Sequence, residues 1–213
     1  MPHKHIRSEL HTYIVFYKPY GVLSQFTDDA GRKTLSDFGP FPKCVYPVGR
    51  LDADSEGLLL LTDDNDTKHR LVEPRYGHTR TYLVQVERTP TSEALARLRM
   101  GVLIEGKKTN EAAVQKLEQE PDVPPRAVPI RFRKNVATTW LEITLTEGRN
   151  RQVRKMTAAV GHPTLRILRI ALGPLTLTGM NPGEHRSLDT SEVRLLLKSL
   201  TDVHRETESP LPG

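Results

Sequence analysis

The sequence predicts an α+β fold, on three observations. Strand-like runs of β-branched and aromatic residues recur along the 213-residue chain, and capped helical segments stand between them. One run, Leu58 to Leu61, is apolar at every position, so both of its faces are covered. A hydrophobic fraction of 37% supplies a core without covalent staples.

Thr12 to Lys18, "TYIVFYK", is the first strand, and Pro19 and Gly21 stop it. "KCVYPVG" and "GLLLLT" predict two further short strands, separated by a loop that carries Asp52 and Asp54. "DNDTKHRLVEP" makes a short helix ended by Pro74. "TRTYLVQVE" alternates, placing Tyr82, Val84 and Val86 on one face and Thr81, Leu83 and Gln85 on the other. A helix follows at "TSEALARLRMG", with Thr91 or Ser92 as cap and Gly101 as stop. "QEPDVPPRAVP" is a surface connection within one domain. Strands "IRFRK" and "TTWLEITLTE" come next, then a helix in "GRNRQVRKMTAAVGHP" with Asn150 as its cap, Gly161 as its left-handed end and Val153, Met156 and Val160 as its apolar stripe. Strand "TLRILRIAL" and helix "TSEVRLLLKSL" complete a domain over residues 12–200, between flexible tails at 1–11 and 201–213.

Composition narrows the classes. The single cysteine, Cys44, excludes an internal disulfide framework and a Cys-rich zinc cluster, and it fits a reducing compartment. No apolar run reaches the ~18 residues of a membrane span, and the opening lacks a secretory core. The expected location is cytoplasmic. His3, His5 and His11 imitate a metal tract, but a frayed polar terminus is the plainer reading. A net charge of +5 favours a polyanionic partner only weakly.

The arrangement of the charge says more. Arg149, Arg151, Arg154 and Lys155 crowd the opening turn of a helix, where the dipole disfavours cations by ~0.3–1 kcal/mol each. Stability does not explain them; an anion, phosphate or carboxylate, does. Between residues 126 and 170 they join Arg126, Arg131, Arg133, Lys134, Arg166 and Arg169, opposed only by Glu142 and Glu147. This local excess is larger than the net charge of the chain and suits a phosphate backbone.

Against that basic half stands the acidic loop in "VGRLDADSEGLLLL". A nearby cation favours the charged, nucleophilic form of a carboxylate. Spacing alone leaves Asp52 equally open to an Asx-turn or capping role beside Arg50, and Asp54 reads as structural. A magnesium-dependent Asp-x-Asp loop fits poorly, because Gly49 and Arg50 separate the strand from the first acid.

"GRLDADSEGLLLLT" resembles the signature of the pseudouridine synthases of the RsuA and RluB/E/F group. "YKPYGVLS" is similar to that group's opening Lys-Pro-x-Gly motif, "RTYLVQV" to the segment bearing its tyrosine, and "EGRNRQVRKM" to its late basic motif. The matches run in family order from about residue 13 to residue 172.

The resemblance implies the pseudouridine synthase fold: one long, mixed, mainly antiparallel sheet with flanking helices, a central cleft and two subdomains sharing the sheet. It makes Asp52 the nucleophile, Tyr82 the ring against the target base and Arg154 the cation paired with Asp52. By the same resemblance Ile167 lines the pocket; the charge pattern adds Arg50, Arg149, Arg151, Lys155, Arg131 and Arg133 as expected contacts to the substrate RNA. Asp54 receives no role. The implied reaction is isomerisation of a uridine in large-subunit ribosomal RNA to pseudouridine, without metal or organic cofactor. Many members carry a further RNA-binding module before the Lys-Pro-x-Gly motif. Only about a dozen residues precede that motif here, which implies the short branch; a monomer is the default expectation. A non-catalytic rRNA-binding or assembly factor, or a synthase for another structured RNA, is the competing reading.

Overall fold

A computed structural model describes residues 11–130 and 136–206, with residues 202–206 described through their backbone only. The strands are β1 (Tyr13–Lys18), β2 (Tyr46–Pro47), β3 (Glu56–Thr62), β4 (Arg80–Glu87), β5 (Leu103–Ile104), β6 (Lys107–Lys108), β7 (Ala113–Lys116), β8 (Thr138–Leu145), β9 (Thr164–Leu172), β10 (Leu175–Thr176) and β11 (His185–Ser187). The helices are α1 (Asn65–Val72), α2 (Ser92–Met100), α3 (Gln152–Ala159) and α4 (Thr190–Glu206). The main sheet runs β11-β1-β3-β9-β4-β8-β7, with β2 also on β3 and β10 also on β9; β5 and β6 form a separate ribbon. All pairs are antiparallel except β3 with β9, so the sheet is mixed and mainly antiparallel.

That parallel contact joins the two halves, and it is short: Glu56 pairs with Leu168 and Gly57 with Arg169. Only glycine fits there. A Cβ on Gly57 would lie 2.3 Å from the Arg169 carbonyl oxygen and 2.5 Å from its nitrogen, and its φ of +113° is one that L side chains rarely adopt. The Arg166 guanidinium meets the Glu56 carboxylate through two hydrogen bonds, Nε to Oε2 at 2.8 Å and Nη2 to Oε1 at 2.7 Å, both side chains buried. The union is thus pinned by an ion pair beside a glycine.

Alternation carries each face into its own core. On β3, Leu58 and Leu60 pack with Tyr13, Val15 and Tyr17 of β1, Leu71 of α1 and Val193, Leu196 and Leu197 of α4. Leu59 and Leu61 face Ile14, Phe16, Leu35 and Val45 on the other side. Both faces of this strand are therefore covered, as its unbroken apolar run requires. In the second half Val84, Val86, Leu141, Ile143 and Ile167 pack against Leu98 of α2 and Val153 and Met156 of α3.

Strand β9 is longer than the stretch of β4 it faces. Pairing passes from Val86–Thr164 to Gln85–Arg166, and again from Tyr82–Arg169 to Thr81–Ala171, leaving Leu165 and Ile170 as bulges.

Local chemistry explains where the expectations needed correction. "KCVYPVG" pairs only at Tyr46–Pro47, since proline has no N–H to extend a ladder. The helix expected to begin at Asn150 begins at Gln152. Arg151 is its N-cap, in left-handed geometry with φ 51°, and the Gln152 side chain accepts the Arg149 N–H at 2.9 Å in place of an Asn150 cap. Helix α4 continues to Glu206 instead of ending at Leu200, because no glycine or proline interrupts "TDVHRE". The expected strand "IRFRK" falls largely on residues 131–135, outside the described residues, as do Arg131, Arg133 and Lys134 and most of the expected tails.

Candidate active site

A cleft of about 540 Å³ crosses the junction of the two halves. The loop entering β3 supplies Arg50, Leu51 and Asp52; β4 supplies Arg80 and Tyr82; β9 supplies Ile167, Arg169 and Leu172; the turn into α3 supplies Gly148, Arg149 and Arg151, and the first turn of α3 supplies Arg154. Tyr82 and Arg169 are direct partners across β4 and β9, and so are Val84 and Ile167. Partners across a ladder share a face, so the ring of Tyr82 and the side chains of Ile167 and Arg169 project together.

The Asp52 loop is held by its neighbours. Ser24 Oγ donates to the Leu51 carbonyl oxygen at 2.8 Å and accepts the Leu51 N–H at 3.0 Å, while Ser55 N–H returns to the Asp52 carbonyl oxygen at 3.0 Å. Lys18 lies beneath, fully buried, donating to the carbonyl oxygens of Val22 at 2.7 Å and Pro19 at 3.0 Å. Burial pushes its pKa down to about 8, against the pull of Glu56, Asp54 and Asp52.

The arginines of the α3 turn reach across to both aspartates. Arg151 Nη1 stands 3.4 Å from Asp52 Oδ2, and Arg151 Nη2 donates to Asp54 Oδ2 at 2.8 Å. Arg154 does not pair with Asp52 as expected. Its Nη2 donates to the Asp54 carbonyl oxygen at 2.7 Å and lies 3.3 Å from Asp54 Oδ2. Asp54, which the sequence left without a role, is therefore the residue on which both guanidinium groups converge. Burial opposes its ionisation, but the Arg151 hydrogen bond and the charges of Arg154 and Arg151 outweigh that and hold its pKa below the usual 3.8.

The remaining expected contacts differ in how free they are. Arg50 is exposed at the rim. Arg149 lines the cleft, but it donates to Glu147 Oε2 at 3.0 Å and to the carbonyl oxygens of Lys107 and Lys108. Lys155 binds Glu105 Oε1 at 2.6 Å. Two cleft residues escaped the sequence reading as site residues, Arg80 and Arg169. Their signal was tertiary: both are arginines buried with no carboxylate within 4 Å among the described residues. No group of three or more His, Cys, Asp or Glu that could hold a metal ion occurs among the described residues.

The sequence pattern of RNA pseudouridylate synthase matches residues 12–159, which include the Asp52 loop, β4 and α3. The chain belongs to this family. A ribosomal large subunit pseudouridine synthase E of Xanthomonas campestris pv. campestris is 51% identical over 183 residues, covering 85% of this chain and 97% of the relative. The synthase E of Vibrio vulnificus is 50% identical over 82% of this chain and 74% of its own length. A crystal structure of a pseudouridylate synthase superposes with a TM-score of 0.72 at 27% identity, over 87% of this chain and 74% of that one. In this pseudouridylate synthase the cleft, the acidic loop and the basic helix start thus belong to one site, assembled from segments far apart in the sequence.

Proposed function

We propose that the chain isomerises one uridine of large-subunit ribosomal RNA to pseudouridine, with Asp52 as the nucleophile. The observation that carries this reading is the position of Asp52: its carboxylate is 40% exposed at the wall of a cleft whose floor holds Tyr82, Ile167 and Arg169. The nearly full-length likeness to the synthase E relatives supports the substrate class.

The residues suit the steps. A stacked uridine must leave its helix to be reached, and Tyr82 offers a ring that offsets the unstacking cost. An Asp52 oxygen bonds to ribose C1′ as the C1′–N1 bond breaks and frees the uracil; after rotation C5 attacks C1′ and releases the carboxylate, and the C5 proton is lost as N1 gains one. On this reading Asp52 meets the ribose end of the nucleotide, and Arg154 fixes the loop that presents it. Arg50 and Arg151 at the rim suit the flanking phosphates. The protein acts as a cytoplasmic monomer on this reading.

Mapping of pseudouridines in ribosomal RNA from cells lacking the protein, complemented by wild type or Asp52→Asn, tests it. One site is expected to vanish, to return with wild type and to stay absent with Asp52→Asn. Full restoration by Asp52→Asn would leave only an RNA-binding role for this loop.

A further inference from the structure

Arg169 is the most deeply placed cation of the cleft, 3% exposed. Its Nε donates to the Leu58 carbonyl oxygen at 2.8 Å, which ties it to β3, but its Nη2 is buried with no hydrogen-bond partner. A buried charged donor left open costs stability, and nothing in the packing compensates it. Arg80, the second buried arginine of the cleft, is better matched. It gives its two terminal nitrogens to the carbonyl oxygens of Leu71 and His78, and it faces the bare Cα of Gly148, where a Cβ would come within 3.6 Å of its Cζ. Two buried guanidinium groups thus stand in the cleft with no carboxylate within 4 Å among the described residues, beside the apolar side chains of Leu71, Leu145, Ile167 and Leu172.

We propose that Arg169 is the residue that selects the target base: its guanidinium, which lines the cleft and whose Nη2 has no partner in the fold, donates to the uracil carbonyl para to the ring atom bonded to ribose. This rests on the isomerisation proposed above. The ribose stays at the wall with Asp52, so the atom para to the glycosidic bond reaches deepest. In uridine N1 bears the ribose, and C4 with its carbonyl O4 is para to it. Cytosine carries an amino group at that point and would set donor against donor, which such a site rejects strongly. Phosphate does not fit, since the strand backbone remains at the rim with the exposed Arg50 and Arg151.

Uracil also has the symmetry the reaction needs. Rotation about the N3–C6 axis exchanges N1 with C5 and C4 with C2, so after rotation O2 occupies the place that O4 held. The same donor therefore receives substrate and product, and it releases and regains the ring without any change in the protein.

Single-turnover rates at saturating enzyme test this with RNAs carrying uridine or 4-thiouridine at the target, because sulfur is a poor acceptor. Wild type is expected to be slowed at least about tenfold by the sulfur. Arg169→Met, checked for folding by thermal denaturation, is expected to be slower on uridine and to lose the difference between the two RNAs. It is also expected to lose the preference for binding uridine over cytidine at the target, while Arg169→Lys restores part of both. Equal rates of wild type on both RNAs overturn the assignment without any variant, and so does a folded Arg169→Met that keeps the full oxygen-to-sulfur difference. Absence of pseudouridine with wild type on every ribosomal RNA overturns the proposed reaction itself, which separates the two failures.

Discussion

Arg154 Nη2 donates to the Asp54 carbonyl oxygen at 2.7 Å, so the helix that starts the basic motif grips the backbone of the acidic loop two residues beyond Asp52. The contact fixes where the Asp52 side chain begins. Its own carboxylate meets Arg151 instead.

Arg154→Ala is therefore expected to slow single-turnover pseudouridine formation by ~100-fold at saturating enzyme, since a loop displaced by an ångström loses reactive alignment. Arg151→Ala removes a guanidinium that is 41% exposed, and it is expected to weaken RNA binding and its salt dependence more than the chemical step. Equal losses in rate from both substitutions would count against this division.

Breaking the buried Arg166–Glu56 pair strands one charge. Glu56→Ala and Arg166→Ala are each expected to lower unfolding free energy by ~3–5 kcal/mol in urea titrations. A loss below ~1 kcal/mol would mean that water reaches the remaining partner.

Asp54 has a folded pKa below its ordinary 3.8. Its contribution to stability is fully present above that ordinary value and is lost as pH falls through the folded one. Asp54→Asn is expected to be less stable than wild type near neutrality and to lose part of the acid-induced decline. Parallel pH profiles for the two proteins would show that this carboxylate is not linked to folding.

Lys18 tilts stability with pH in the same direction, but through burial of a cation and in an alkaline window. Its folded pKa of about 8 lies below the ordinary 10.5, so between them the unfolded chain binds a proton that the native chain does not, and stability gains with pH across that window. Lys18→Met is expected to remove this gain in unfolding measurements across the window. Retention of the full slope would assign it to another group.

Much of this was legible in the sequence because the signal was local. The unbroken run Leu58–Leu61 predicted a strand covered on both faces, and Thr91, Gly101 and Gly161 marked helix boundaries that the backbone keeps. Asp52, Tyr82 and Ile167 were found through motif resemblance, and the fold brings them to one cleft. What stayed hidden depends on contacts between distant segments. Arg169 was one more cation in a basic stretch until its placement opposite Tyr82 and its unpartnered buried nitrogen were known. Asp54 could not be told from a turn residue until Arg151 and Arg154 were seen to reach it from nearly a hundred positions away. Strands such as β5, β6 and β10 are two residues long, too short for any periodicity to announce them.

The bulges at Leu165 and Ile170 give β9 surplus contour beside β4. Like the longer layer of a laminated strip, the surplus bows the surface, and the hollow lies where Ile167 and Arg169 stand between the two extra residues. Neither Leu165 nor Ile170 lines that hollow. Deleting one of them would keep every side chain that lines the cleft yet flatten the bowl; here shape is written as chain length rather than as composition.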